Sequence, residues 1–192
     1  MKRFLLFSIV AWYITASCFC QIDWKNFMSQ QDMIWTRLPQ TWYEAPFMGN
    51  GSMGTYICKE PGKNAIRVDV GNSMVHDHRT NDRGVYGRCR LLIGYFLLHP
   101  AGEIKSGDMR LDLWNAETTG CIRTTLGEIK LKAYVTSESP YIVVEAEATE
   151  GEKDFTWKFY PENTDSPRQL NAIQRNNKKH LKKGYVSNPA SQ

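Results

Sequence analysis

Ser52-Met53-Gly54-Thr55-Tyr56-Ile57-Cys58-Lys59, then Glu60-Pro61-Gly62-Lys63-Asn64, then Ala65-Ile66-Arg67-Val68-Asp69-Val70 reads as two extended runs joined by a turn. Proline presets one turn dihedral and glycine supplies the left-handed one that follows, so Pro61-Gly62 reverses the chain. From Ala65 to Val70 apolar and charged residues alternate, the period of a strand with one face buried and one in water. The segment therefore predicts a β-hairpin over residues 53–70.

The same grammar continues downstream. Residues 71–88 carry little apolar content and read as a long polar loop; loops of that length inside a compact domain are usually functional or mobile. Arg90-Leu91-Leu92-Ile93-Gly94-Tyr95-Phe96-Leu97-Leu98 reads as a buried strand with a glycine that marks a bulge. Further strands are expected over residues 109–114, 120–125, 128–136, 141–149 and 155–160. Alternation is clear in Ile129-Lys130-Leu131-Lys132-Ala133-Tyr134-Val135 and in Val144-Glu145-Ala146-Glu147-Ala148, with the acids in water. Leu126-Gly127, Glu138-Ser139-Pro140 and Glu150-Gly151-Glu152 supply turns. Upstream, Trp24, Phe27 and Met28 share the face of a short helix that Asp23 caps. Seven or eight short strands with no long helix between them exclude βαβ units. The predicted fold class is all-β: an antiparallel β-sandwich with a short N-terminal helix and a loose C-terminal tail.

The ends set the compartment. Lys2 and Arg3 precede Phe4 to Ile14, a run of 11 residues that is apolar apart from Ser8. A membrane-spanning helix needs about 20 apolar residues, whereas a signal-peptide core is shorter. Small residues follow, and cleavage before Gln21 leaves Cys18 and Cys20 at the small-residue positions of the site. Residues 1–20 are therefore read as a signal peptide, 21–167 as the sandwich, and 168–192 as a basic tail. The chain is expected to be exported, periplasmic or secreted; the other readings are a lipoprotein anchored at Cys18 and a buried N-terminal helix.

The net charge of +4 comes from the tail, where Arg168, Arg175, Lys178, Lys179, Lys182 and Lys183 follow the last acid, Asp165. The body is near neutral, which disfavours nucleic acid as a partner. Cys58, Cys89 and Cys121 outlast the leader, an odd number with no C-x-x-C pair, so neither a disulfide framework nor a zinc site is indicated. One disulfide among the three remains open. No cofactor, no resident metal and no membrane span are expected.

One segment stands apart: Trp42-Tyr43-Glu44-Ala45-Pro46-Phe47-Met48-Gly49-Asn50-Gly51-Ser52-Met53-Gly54. Three glycines within six residues let the backbone approach another group closely. Asn50 tolerates left-handed geometry and bonds its own backbone. The glycine spacing is not that of a dinucleotide loop, and a phosphate-loop lysine is missing.

Gly49-Asn50-Gly51-Ser52-Met53-Gly54, followed by a hairpin and then by the polar Val75-His76-Asp77-His78-Arg79, resembles the opening of the N-terminal β-sandwich in glycoside hydrolase families 65 and 95. Arg90-Leu91-Leu92-Ile93-Gly94, Met109-Arg110-Leu111-Asp112-Leu113-Trp114-Asn115-Ala116 and Tyr160-Pro161-Glu162 resemble a related group of exported bacterial proteins whose N-terminal domain has no assigned function. The resemblance spans about Trp35 to Arg168. It implies a supersandwich and a catalytic (α/α)6 barrel carrying the acid and base carboxylates. The sequence stops at Gln192 without such a barrel, so the family's catalytic residues have no positions here. The chain is then expected to be a fragment: a non-catalytic module of a carbohydrate-active enzyme, with carbohydrate and a helical-barrel domain as partners. A free-standing carbohydrate-binding module and a vestigial structural protein are the alternatives.

The candidate substrate-binding residues are Trp42, Asn50, His76, Asp77, His78 and Arg79. Aromatic faces match the C–H faces of pyranoses, and Asn, Asp and Arg reach hydroxyls. Trp42 stands evenly between sugar contact and domain packing; Trp114 and Trp157, inside strand patterns, are expected in the core. His76-Asp77-His78 also has the alternation of a zinc site, but a third ligand has to come from far away, so the segment is read as the mouth of a pocket. Glycoside hydrolysis needs two carboxylates about 5 to 9.5 Å apart. Asp69, Asp77, Asp82 and Glu44 are the nearest acids, and solvated surface acids are the reading preferred for them.

Overall fold

A computed structural model of the chain describes residues 22–76 and 90–162. The chain divides into two units, Met1–Gln31 and Asp32–Gln192. In the first lies helix α1 (Trp24–Ser29), capped as expected: the Asp23 carboxylate accepts the Asn26 N–H at 3.1 Å. Trp24 and Phe27 meet edge to face at 5.9 Å, and no residue of the helix is buried.

The described part of the second unit is an all-β antiparallel sandwich. Its strands are β1 (Met33–Trp35), β2 (Phe47–Gly49), β3 (Met53–Lys59), β4 (Ile66–Asn72), β5 (Gly94–His99), β6 (Ile104–Asp112), β7 (Glu117–Thr124), β8 (Glu128–Val135), β9 (Ile142–Ala148) and β10 (Thr156–Pro161). The first sheet has the order β1-β6-β7-β8-β9 and the second β10-β5-β4-β3-β2, every pair antiparallel. The predicted hairpin is β3–β4, with Ile57 opposite Val68 and Gly62 in left-handed geometry (φ +71°) at its turn. The eight predicted strands are present with shifted ends; the three-residue β1 and β2 were not foreseen. Gly94 marks a close approach rather than a bulge: a Cβ there would stand 2.5 Å from the Tyr160 carbonyl oxygen. Residues 1–21 and 163–192, on which the expected signal peptide and basic tail fall, and residues 77–89 of the polar loop with Cys89 lie outside the described residues.

Alternation sorts the faces. Ile57, Ile66, Val68 and Leu98 from the second sheet meet Met109, Leu111, Ile122, Ile129, Leu131 and Ala133 from the first, and this layer is the core. Burying each of the Ile, Val, Leu and Met side chains contributes roughly 1.5–3 kcal/mol. Lys130, Lys132, Glu145 and Glu147 point the other way, as their alternation predicted. The sheets are offset: β8 lies over β2 and β3, and β9 over β3. Beyond β2, Leu38 fills the space against Gly107 of β6, and the Pro39 carbonyl accepts the Lys59 N–H at 2.7 Å. At the other flank β5 and β10 project past β9.

Two expectations fail here. Trp114 sits in the β6–β7 turn, 47% exposed, because β6 ends at Asp112, whose carboxylate accepts the Trp114 and Asn115 N–H groups and turns the chain. Trp157 is on the inner face of β10, as its period demands, yet stays 37% exposed because an open cleft separates it from Ile142 and Val144 of β9. Among the described residues no helix is long and apolar enough to cross a membrane.

Candidate functional site

The glycine-rich segment makes a floor. Gly49 of β2 pairs with Gly54 of β3, and Gly54 with Gly71 of β4. Direct partners in antiparallel strands share a face, and Ile57 and Val68 fix the inner face, so the three glycines form a row on the outer face of the second sheet. Above them lies a trough of about 350 Å³, lined by Phe47, Met53, Asn72, Ser73, Arg90 and Leu92 among others. The Phe47 ring stands over the floor, 3.4 Å from where a Cβ of Gly54 would be. Phe47 itself is 66% exposed.

The reason for glycine differs from position to position. Gly51 has φ +88° in the β2–β3 turn, which disfavours any side chain. At Gly49 a Cβ would lie 2.9 Å from the Met53 carbonyl oxygen. Gly54 and Gly71 have neither constraint: φ is ordinary and the nearest atoms stand at 3.4 Å. Nothing within the described fold requires them to lack a side chain.

Beside the floor, Tyr56 and Asp69 share the outer face with Arg67 and Tyr95. Arg67 stacks on the Tyr95 ring at 3.6 Å and grips Asp69 through two bonds, Nε–Oδ2 at 2.5 Å and Nη2–Oδ1 at 3.2 Å. It also reaches Glu162 at 3.3 Å and Glu60 at 3.5 Å. Burial works against the Arg67 charge, but the bond to Asp69 and the surrounding carboxylates outweigh it and hold the guanidinium protonated. Burial, then the bond to Asp69, raises the Tyr56 phenol above its usual range. Tyr95 stacks on Tyr160 at 5.4 Å.

The outer face of the first sheet carries a second cleft, of about 620 Å³. Short Thr119 and Cys121 of the central strand β7 form its floor. Asp108 and Arg110 wall one side, and Lys130 and Lys132 the other.

The structure scatters the described candidates from the sequence. Asn50 spends its side chain internally. Its Oδ1 accepts the Ser52 and Met53 N–H groups at 2.9 and 2.8 Å, and its Nδ2 donates to the Thr136 and Ser139 carbonyls at 2.8 and 3.2 Å. It thereby ties the β2–β3 turn to the β8–β9 turn. Trp42 lies in a 3-10 turn (Trp42–Glu44), 67% exposed and edge to face with Tyr43 at 5.7 Å. His76 bridges to Arg90 across the chain, and its Nδ1 lies 3.0 Å from the Met74 carbonyl oxygen. None of the three lines the trough, although Arg90, the partner of His76, does. Asp77, His78 and Arg79 lie outside the described residues. Phe47, Asn72 and Arg90 were not singled out from the sequence; the signal for Phe47 was its period-two relation to Gly49. Cys58 and Cys121 are free thiols on the outer faces of opposite sheets. Among the described residues no group of three or more His, Cys, Asp or Glu side chains is placed to hold a metal. Searches against protein-family models and against curated proteins gave no match to this chain.

Proposed function

We propose that this chain is the non-catalytic, sugar-facing β-sandwich module of an exported carbohydrate-active enzyme and works beside a catalytic helical barrel. The observation that carries the reading is the glycine floor at Gly54 and Gly71, where an added Cβ would meet nothing closer than 3.4 Å among the described residues. A floor of bare backbone suits a flat ring lying on it. Phe47 offers the aromatic wall, and Ser73 and Arg90 offer groups for hydroxyls, while the Asn72 amide is spent on Met53 Sδ and the Met74 N–H. Trp42, Tyr43, Phe47 and Met74, each more than half exposed, supply apolar surface for a neighbouring domain.

Glycan-array binding of the full-length chain tests this. Binding is expected for the parent and a loss of tenfold or more for Gly54→Val, with the far-UV spectrum unchanged. A folded parent that binds no glycan removes the sugar-facing reading. A free-standing carbohydrate-binding module is the second reading, favoured by the larger cleft over Thr119 and Cys121, whose walls carry both donors and acceptors. Binding that survives Gly54→Val but is lost with Thr119→Trp would support it.

A further inference from the structure

The flank where β5 and β10 project past β9 is unfinished. Phe96, Trp157 and Phe159 point to the inner face, yet are 40%, 37% and 40% exposed. Val68, Val70, Phe96 and Trp157 face Ile142 and Val144 of β9 across an open cleft of about 280 Å³. Two sheet edges with no partner strand among the described residues border it. Glu162 N–H bonds the Ile93 carbonyl, so alternate residues of β10, namely Trp157 and Phe159, turn their N–H and C=O groups to the open side. Thr149 N–H bonds the Glu128 carbonyl, so Ile142, Val144, Ala146 and Ala148 do the same on β9. Long edges with apolar side chains in line are templates for another strand.

We infer that this flank is the interface of a two-fold dimer of the chain, in which β9 of each copy pairs with β10 of the other. The geometry closes. Strand β9 ends and β10 begins at the same end of the sandwich, where Glu152 holds the intervening turn, so the two run in opposite directions. A half-turn about an axis along the strands, midway between the layers, puts the partner's second sheet in the layer of the first copy's first sheet. It preserves strand direction, so β9 meets the partner's β10 antiparallel, and the contact occurs twice. Each bare shelf of Phe96, Trp157 and Phe159 then covers the other.

Charge selects the register. Backbone groups mesh only when Trp157 and Phe159 oppose even-numbered residues of β9. Opposing Phe159 to Val144 sets Trp157 against Ala146, a large residue against a small one, and Lys158 against Glu145 on the outer face. The next such register sets Lys158 against Glu147. Within the chain Glu145 and Glu147 face Lys132 and Lys130 of β8, and Lys158 lies over the Tyr160 ring at 5.2 Å, so the cross-copy contact adds a cation beside each acid. Pairing β9 with a second β9 in its central register, Val144 against Ala146, would instead oppose Glu145 to Glu145. The remaining edge strands, β1 and β2, have three residues each and offer no comparable ladder. Symmetric closure of this kind is the usual form of a homodimer.

Light scattering coupled to size exclusion on the full-length chain should report a dimer. A monomer at every concentration up to 100 µM, or an open series of larger species, overturns the proposal. Lys158→Glu and Glu145→Lys should each weaken the dimer at least tenfold, and the double variant should restore it. Unchanged association in Lys158→Glu also overturns it. Amide exchange on the parent gives a readout independent of variants: protection at Trp157, Phe159, Val144 and Ala146 should rise with protein concentration, and concentration-independent exchange there counts against the interface. The trough lies on a different face, so this result and the glycan result are independent.

Discussion

The Glu152 carboxylate accepts the backbone N–H of Gly102 at 2.9 Å from fully buried surroundings. It also accepts Ala101 N–H at 2.8 Å and the Thr124 hydroxyl. One side chain therefore ties the β9–β10 turn to the β5–β6 and β7–β8 turns, joining both sheets at one end. Gly102 makes room for it: a Cβ there would stand 2.7 Å from Glu152 Oε1.

Glu152→Ala should be among the most damaging single changes in the chain. It orphans two backbone donors and a hydroxyl at a buried site, and hydrogen bonds to a charged acceptor are worth about 1.5–3 kcal/mol each. A loss of about 3–5 kcal/mol in urea unfolding is expected. Glu152→Gln keeps one carbonyl acceptor and should lose less. Equal losses for the two variants would contradict the role given to the second oxygen.

The glycines of the trough should separate by cause. Gly51→Ala, at φ +88°, should destabilise by about 1 kcal/mol. Gly49→Ala should also destabilise, through the 2.9 Å approach to the Met53 carbonyl. Gly54→Ala and Gly71→Ala should leave stability unchanged or raise it by about 0.5–1 kcal/mol, since glycine is costly inside a strand. Thermal unfolding of the four variants checks this. A large loss at Gly54 or Gly71 would mean that the fold itself requires the bare floor.

What the sequence disclosed follows from the range of the forces involved. The β3–β4 hairpin and the Lys130–Lys132 and Glu145–Glu147 alternations were legible because turn chemistry and period two act over a few residues. Strands β1 and β2 were not, because three residues carry no period and owe their pairing to β6 and β3. The exposure of Trp157 was invisible for a related reason: its period named the inner face correctly, but the offset between sheets that leaves this face bare is a property of the packed whole. At the candidate site the glycine segment was visible, while Arg90 and Asn72 reach the trough only through pairings of β4 and the segment before β5. Asn50 was correctly read as bonding its own backbone, but its amide is also spent on Thr136 and Ser139, which lie far along the chain.

Arg67 should be the linchpin of the outer face of the second sheet. It neutralises Asp69, which is 2% exposed, and approaches Glu60, which is 8% exposed. Arg67→Ala leaves the buried Asp69 without its cation, while Glu60 keeps Lys63 at 3.8 Å, a loss of about 3–5 kcal/mol. Asp69→Ala should cost less, because Glu162 and Glu60 still hold the guanidinium. Urea unfolding of both variants and of the double variant gives the coupling between them; additive losses would show that the pair acts independently.

The Cys58 thiol should be inert in the folded state. Burial, then the nearby Asp69 charge, pushes its pKa up to about 12. The folded state thus holds the thiol proton more tightly than the unfolded chain does. This contribution is complete below the thiol's ordinary value near 9 and is lost as pH rises towards 12. At pH 8, Ellman's reagent should modify Cys121 at a measurable rate and leave Cys58 untouched until denaturant is added. Peptide mapping distinguishes the two sites, and rapid native labelling of Cys58 would place its sulfur in water.

Thr55 and Thr118 mark where the core is under-satisfied. Both lie on inner faces, 1% and 2% exposed, and among the described residues neither hydroxyl oxygen has a hydrogen-bond partner. Leaving a buried hydroxyl unpaired costs about 1–3 kcal/mol, and valine replaces threonine with nearly the same shape and a higher preference for strands. Thr55→Val and Thr118→Val should therefore each stabilise the chain by about 1 kcal/mol, seen as a higher urea midpoint with an unchanged slope. A lowered midpoint would mean that the hydroxyl is bonded in solution to a group inside the core, and would remove the account of these two threonines as frustrated positions.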